Sequence, residues 1–259
     1  MEQCANDTKV ALVTGASSGI GAAIVRNFVK NGIKVVGCAR NLDKLEDIAV
    51  DVNAKGPGEM FAKKCDLNHE SQILEVFAFI KDKFGTINIC VNNAGMSHHA
   101  RLMSAKTEEW AEMLNVNVLA LCIATREAIA LMKSSGVEDG HIININSVSG
   151  HTVYRPFYSA TKFAVTALTE GLRQDLREVQ SRIRVTGISP GLVESKFAYR
   201  LNKDQPEKAS KLYSSLKCLE PVDIANAVMF AVNSPPHMEV NNIIVRPTEQ
   251  GNDIDAKVR

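Results

Sequence analysis

Tyr158 and Lys162 stand four residues apart in YSATK, and the apolar spacing of FYSATKFAVTALTEGLRQDL is helical, so both side chains share one face. A free phenol titrates near pH 10, and making it a usable base near neutrality needs about 3 units, roughly 4 kcal/mol, of phenolate stabilisation. An ammonium one turn away is the right kind of source. Tyr154 has no lysine at that distance and is expected to line a pocket instead. Ser147 ends the apolar run HIININS and can hydrogen-bond a substrate oxygen while Tyr158 exchanges its proton. Asn117, inside the apolar NVNV, needs a partner in a buried helix, and a water held beside Lys162 would supply one. Each of these residues alone has an ordinary reading, chance spacing for the pair and a turn for the serine. Together they point to proton transfer at a substrate oxygen.

A second group of residues is built for an anion. TGASSGIG at 14–21 follows an apolar run and opens a helix; Gly15, Gly19 and Gly21 suit a tight turn, close approach to a pyrophosphate and close helix packing. Ser17, Ser18 and Ile20 fall in the same loop. Their spacing departs from the G-x-G-x-x-G dinucleotide pattern, and the position between strand and helix carries the reading. After the second strand, where an acidic residue usually holds the ribose 2′-hydroxyl, the sequence reads GCARN. Arg40 suits a 2′-phosphate through a charge-assisted, forked contact, so NADP(H) is expected as cofactor. The alternatives are an arginine that solvates a helix start, and NAD(H).

The elements that must hold these groups alternate along the chain. VALVT (10–14), KVVGCA (34–39), MFAKKCD (60–66), INICVNN (87–93), HIININS (141–147), IRVTGIS (183–189) and NIIVRP (242–247) read as strands, most apolar on both faces. Between them lie segments with apolar residues three and four apart that end in glycine, as helices do. This rhythm predicts an α/β fold: one doubly wound parallel sheet of about seven strands with helices on both faces. With no repeat or linker, residues 1–259 read as a single domain, interrupted only by a polar and aromatic insertion at 192–218 and ending in a tail at 248–259. Ligands in open α/β sheets bind beyond the carboxyl ends of the strands, where that insertion would sit.

Composition narrows the partners. Lys plus Arg (30) nearly balances Asp plus Glu (29), so no global field draws the chain to nucleic acid or an anionic membrane. The polar start MEQCANDTK lacks the form of a secretory signal, and a cytoplasmic protein is expected. NVNVLALCIATREAIALM (115–132) is interrupted by Asn117, Arg126 and Glu127 and reads as a buried helix rather than a membrane span. Cys4, Cys38, Cys65, Cys90, Cys122 and Cys218 are scattered, without a C-x-x-C, and are expected to be free thiols. The histidines form no ligand motif, and no protein-bound metal is expected.

In their order, TGASSGIG, CDLN (65–68), NNAG (92–95), Asn117, Ser147, YSATK (158–162) and SPGLVES (189–195) resemble the classical short-chain dehydrogenase/reductase family, from Val10 to about Pro247. GHIININS, TALTEGLR and RPTEQ are similar to a branch that includes the insect farnesol dehydrogenases. The resemblance implies a Rossmann-like domain and a homo-oligomer, dimer or tetramer, built through two long helices, here 107–134 and 157–179. It implies cofactor contacts from Asp66 at the adenine, from Asn93, Ala94 and Gly95 at the central strand, from Val193 with Ser195 at the carboxamide, and from Leu67, Pro190 and Gly191. Tyr158 and Lys162 also touch the cofactor in that family. The interval from Ser147 to Tyr158, 11 residues, is shorter than in most of its members, so the loop GHTVYRP is trimmed and the pocket wall altered.

The insertion is apolar for a solvated connection. Phe197, Tyr199, Leu201, Leu212, Tyr213 and Leu216 are expected to close as a lid over the substrate beside Met96, Val153, Tyr154 and Phe157. A wall of that composition, with no arginine for a carboxylate, suits an apolar alcohol or carbonyl such as an isoprenoid or a steroid. The expected activity is therefore NADP(H)-dependent alcohol dehydrogenase or carbonyl reductase chemistry. A non-catalytic dinucleotide sensor or scaffold is the alternative, and the complete set Asn117, Ser147, Tyr158 and Lys162 stands against it.

Overall fold

The β-branched runs form strands, and each ends where a loop must turn over the sheet. In the computed structural model, which describes residues 9–251, these are β1 (Val10–Thr14), β2 (Lys34–Ala39), β3 (Glu59–Lys64), β4 (Ile89–Asn92), β5 (His141–Ile145), β6 (Arg184–Pro190) and β7 (Asn242–Val245). They pair in parallel in the order β3-β2-β1-β4-β5-β6-β7. Every residue of β1, β4, β5 and β6 is buried, whereas the edge strands β3 and β7 show one face to solvent. Several strands stop one or two residues short of their apolar runs. Asp66, Asn93 and Ser147 thus leave the ladder and stand beyond the strand ends.

The helices are α1 (Gly19–Lys30), α2 (Leu42–Asn53), α3 (Glu70–Phe84), α4 (Thr107–Leu114), α5 (Ala120–Ser134), α6 (Pro156–Glu178), α7 (Lys196–Leu201), α8 (Pro206–Ser214) and α9 (Pro221–Val232). Side chains alternate across a strand, so Ala11 and Val13 join one core layer with α1, α2 and α9. Val10 and Leu12 join the opposite layer with α3, α5 and the end of α6. The fold is a Rossmann-like α/β sheet covered on both faces. The helical run Thr107–Ser134 is long and apolar enough to cross a membrane by length and composition, but Ile123, Ala124, Ala128 and Met132 are buried in that second layer.

Two features aim the site. Asn92 donates to Thr125 Oγ1 and to Asn144 Oδ1, both at 2.9 Å, and Asn144 donates to Thr169 Oγ1 at 2.9 Å. This buried chain ties α5, β4, β5 and α6 together, and full satisfaction of such a network fixes one arrangement of its members. Between α4 and α5 the helix widens into a π turn over Asn115–Leu119, the kind of local irregularity that recurs at functional positions.

Candidate active site

The chain leaves β1 toward one sheet edge and returns to β4 on the other side of β1, so a crevice opens beyond these two strand ends. The crevice is closed tightly at its base. Asn93 Nδ2 donates to the Thr14 carbonyl at 2.8 Å, and the Asn93 and Ala94 amides both donate to Thr14 Oγ1 at 3.0 Å. Gly15 adopts φ +66°, and a Cβ there would lie 3.0 Å from Ala94 Cα. At Gly21 a Cβ would fall 2.5 Å from both Asn93 Nδ2 and the Gly15 carbonyl oxygen. Only glycine lets this loop pack so closely on Asn93 and Ala94. Ser18 is the N-cap of α1 but makes no side-chain bond to its helix.

Over this base lies a cleft of about 970 Å³. Gly15, Ser17, Ser18, Gly19, Ile20, Gly21, Arg40, Asp66, Leu67, Asn93, Ala94 and Gly95 line it on the β1–β4 side. Ser147, Tyr158, Lys162, Pro190, Gly191, Val193 and Ser195 line it on the other. A glycine-floored crevice of this size at a helix N-terminus fits a dinucleotide.

Helix α6 starts at Pro156, a residue suited to a first turn, and carries Tyr158, Thr161 and Lys162 toward the end of β5. Burial of its hydroxyl end pushes the Tyr158 pKa up to about 12, opposed in part by a hydrogen bond with Ser147 and by the charge of Arg155. Lys162 is 4% exposed, and burial draws its pKa down to about 8. Its Nζ donates to the Ile145 carbonyl oxygen at 3.0 Å and lies 5.9 Å from the Tyr158 ring centroid. At Tyr158 desolvation thus outweighs the lowering by Ser147 and Arg155.

Asn117 is the one predicted catalytic or cofactor residue that does not line the cleft. Its Oδ1 accepts from the Met96 amide at 2.8 Å, and its Nδ2 donates to the Met96 carbonyl at 2.9 Å and to Thr161 Oγ1 at 3.1 Å. The side-chain amide of this buried asparagine thus finds its partners in protein groups. A Cβ on Gly95 would lie 3.6 Å from Asn117 Oδ1 and 3.7 Å from Lys162 Nζ, so both groups close in on Gly95.

Asp66 accepts from the Asn68 amide at 3.1 Å and from its Nδ2 at 2.9 Å. Burial raises its carboxyl pKa, but these bonds and the charge of Arg40 more than offset that and hold it below the usual range. Arg40 is exposed at the end of β2. After β6, the Gly191 amide donates to the Val245 carbonyl at 2.7 Å, Val193 bridges to Leu219, and Ser195 caps α7 by accepting from the Phe197 amide at 3.3 Å.

With the cleft assembled, the comparison with known proteins is informative. The family model described as short chain dehydrogenase matches residues 9–206. The chain belongs to the short-chain dehydrogenase family. It is 52% identical over 247 residues to dehydrogenase/reductase SDR family member 11 of Gallus gallus, covering 93% of this chain and 97% of that protein. It is 39% identical over 244 residues to a farnesol dehydrogenase of Aedes aegypti, covering 92% and 96%. Its fold matches the closed form of serine dehydrogenase complexed with NADP+ at a TM-score of 0.85 and 31% identity, covering 93% of this chain and 96% of that one.

The substrate end of this short-chain dehydrogenase departs from the sequence expectation. Met96, Tyr154, Phe197, Leu201, Leu212 and Tyr213 do line the cleft. Val153, Phe157, Tyr199 and Leu216 do not; Phe157 stacks behind the wall on Trp110, with centroids 5.4 Å apart, and Val153 is exposed. The Phe197 ring centroid lies 5.8 Å from that of Tyr158. The Tyr154 hydroxyl is buried without a hydrogen-bond partner.

Polar groups that sequence reasoning missed join this wall. His98 Nε2 and Glu112 Oε2 meet at 2.8 Å, and Arg155 lines the cleft, so the wall is not free of arginine. Gln250 Oε1 accepts from the Leu192 amide at 2.8 Å, and Glu249 Oε2 accepts from the Lys217 amide at 3.0 Å, tethering both ends of the 192–218 segment to the turn after β7. None of these has a sequence signal, because each pair spans unrelated stretches of chain.

Proposed function

We propose that the protein is an NADP(H)-dependent oxidoreductase that interconverts an apolar alcohol and its carbonyl, with Tyr158 as general acid and base. The observation that carries this reading is the meeting of Ser147, Tyr158 and Lys162 at one end of a cleft whose other end is the glycine loop. Gly15, Ser18, Gly19 and Gly21 would hold the cofactor's pyrophosphate, Asp66 its adenine, Arg40 its 2′-phosphate, and Val193 with Ser195 its carboxamide. When bound, the nicotinamide supplies or accepts the hydride. Ser147 and Tyr158 hold the substrate oxygen. With its pKa at about 12, Tyr158 keeps its proton at neutral pH, the state that donates to a carbonyl oxygen in reduction. Lys162 places positive charge beside the phenolate that results.

Support for an apolar substrate comes from Phe197, Met96 and Leu201 in the wall and from the likeness to farnesol dehydrogenase of Aedes aegypti. An isoprenoid alcohol or a steroid suits this wall. NADP(H) draws support from Arg40, from the absence of an acidic residue at 39–41, and from the NADP+ complex of the serine dehydrogenase. The proposal includes a single catalytic domain with 192–218 as its lid, cytoplasmic location and a homo-oligomer, for which Leu114, Leu119, Phe163 and Leu168 offer exposed apolar side chains on α6 and around the π turn. Residues 252–259 of the tail and Cys4 lie outside the described residues.

The test is absorbance at 340 nm with purified protein, each cofactor, and farnesol, steroids and small carbonyls. Turnover with NADP(H) that disappears in Tyr158→Phe supports the proposal. Dinucleotide binding without turnover on any of these would support the sensor reading instead.

A further inference from the structure

The 192–218 segment touches the phosphate loop directly. Arg200, near the end of α7, donates from its guanidinium to Ser18 Oγ at 3.0 Å, engaging the N-cap hydroxyl that α1 leaves without a side-chain bond of its own. A Cβ on Gly19 would lie 3.3 Å from Ser195 Cβ, so the root of the same segment already rests on the loop. Arg200 also senses Arg40 across the cleft: desolvation and then the charge of Arg40 hold its pKa below the usual arginine range. Among the described residues neither arginine forms an ion pair. Two guanidinium groups from distant parts of the chain, close enough to repel and both lining one cleft, are poised for a shared anion.

We propose that Arg200 is a second cofactor-phosphate residue, supplied by the lid: with Arg40 and Ser18 it receives a phosphate of the dinucleotide and draws α7 down onto the phosphate loop. The inference rests on the dinucleotide reading above. Charge-assisted contacts from a guanidinium are among the stronger protein hydrogen bonds, and their geometry favours phosphate. The tethers at Leu192 and Lys217 confine the motion to the part of the segment between them. Cofactor recognition and lid position are then one event, since the residue that reads the phosphate rides on the lid.

The experiment is calorimetric titration of wild type, Arg200→Met and Arg200→Lys with NADP+, NAD+ and 2′,5′-ADP, together with hydrogen exchange of residues 196–216 with and without NADP+. Arg200→Met is expected to weaken NADP+ about tenfold or more, the worth of one hydrogen bond to a charged group, with partial recovery in Arg200→Lys. NADP+ is expected to protect 196–216 in wild type and to do so less in Arg200→Met. A loss shared by NAD+ assigns the pyrophosphate as the contact, and a loss confined to NADP+ and 2′,5′-ADP assigns the 2′-phosphate. If Arg200→Met binds NADP+ within about twofold of wild type, an effect smaller than one such bond, the proposal is overturned. If wild type binds neither dinucleotide, the cofactor reading itself fails, which is a separate outcome. Far-UV circular dichroism of the free variants checks folding, and Arg200→Lys carries the test if the methionine variant does not fold.

Discussion

Lys162 gives its ammonium to the Ile145 carbonyl at 3.0 Å while standing 5.9 Å from the centre of the Tyr158 ring. The lysine is thus anchored to the end of β5, the strand that leads to Ser147, and both catalytic candidates take their position from one strand end. Tyr158→Phe is expected to lower kcat by about 10²–10⁴, the usual worth of a general acid. Tyr154→Phe should raise KM more than it lowers kcat. Steady-state kinetics on the same substrate separate the two, and a Tyr158→Phe enzyme above about a tenth of wild-type kcat would remove the phenol from the mechanism.

Cofactor preference follows from Arg40. Arg40→Asp removes a charge-assisted contact and adds a like charge, which is expected to cost NADP(H) about 2–3 kcal/mol relative to NAD(H). The ratio of kcat/KM for the two cofactors measures it. An unchanged ratio would mean that the Arg40 side chain is not at the phosphate.

The ring of Phe197 is tilted against that of Tyr158 at 5.8 Å between centroids, and both line the cleft. Along a homologous series of primary alcohols, each buried CH₂ should add about 0.8 kcal/mol to wild-type kcat/KM until the wall is covered. Phe197→Ala is expected to flatten that rise and to increase KM. A wild-type series that is flat, or a best substrate that is short and charged, would overturn the apolar wall and leave the redox chemistry in place.

His141 sits in β5 at 2% exposure, with Nε2 2.8 Å from Thr186 Oγ1. Desolvation, then the charges of Arg184 and Lys9, lower its pKa to about 3. An unfolded histidine titrates near 6.5, so above that pH both states are neutral and its contribution is complete. As pH falls from about 6.5 toward 3, the unfolded chain takes up a proton that the native state refuses, and on the order of a few kcal/mol of stability is lost. Urea unfolding of wild type and His141→Gln at pH 7.5 and 5 tests this. The variant should be less stable at pH 7.5 and lose less on acidification; equal losses would assign the acid sensitivity elsewhere.

Much of the site was legible because its parts are local. Tyr158 with Lys162 is a helix-turn spacing, Gly15 with Gly21 is a turn between a strand and a helix, and Ser147 is a strand end. Asn117 shows the limit. Its polarity inside an apolar helix signalled a needed partner, but the partner proved to be the backbone of Met96, 21 positions away in sequence. Nothing about either residue alone specifies that meeting.

The alternation of apolar runs determined the parallel sheet, its seven strands and the side on which the site opens, since burial on two faces and the handedness of crossovers leave few other arrangements. Tertiary structure alone decided that Asn92 and Asn144 link in one buried chain, that Arg155 and the His98–Glu112 pair enter the wall, and that Arg200 reaches Ser18. The physical reason is range. Periodicity and turn chemistry act over a few residues, whereas a hydrogen bond between positions 18 and 200 exists only once packing of the two core layers has brought α7 over α1.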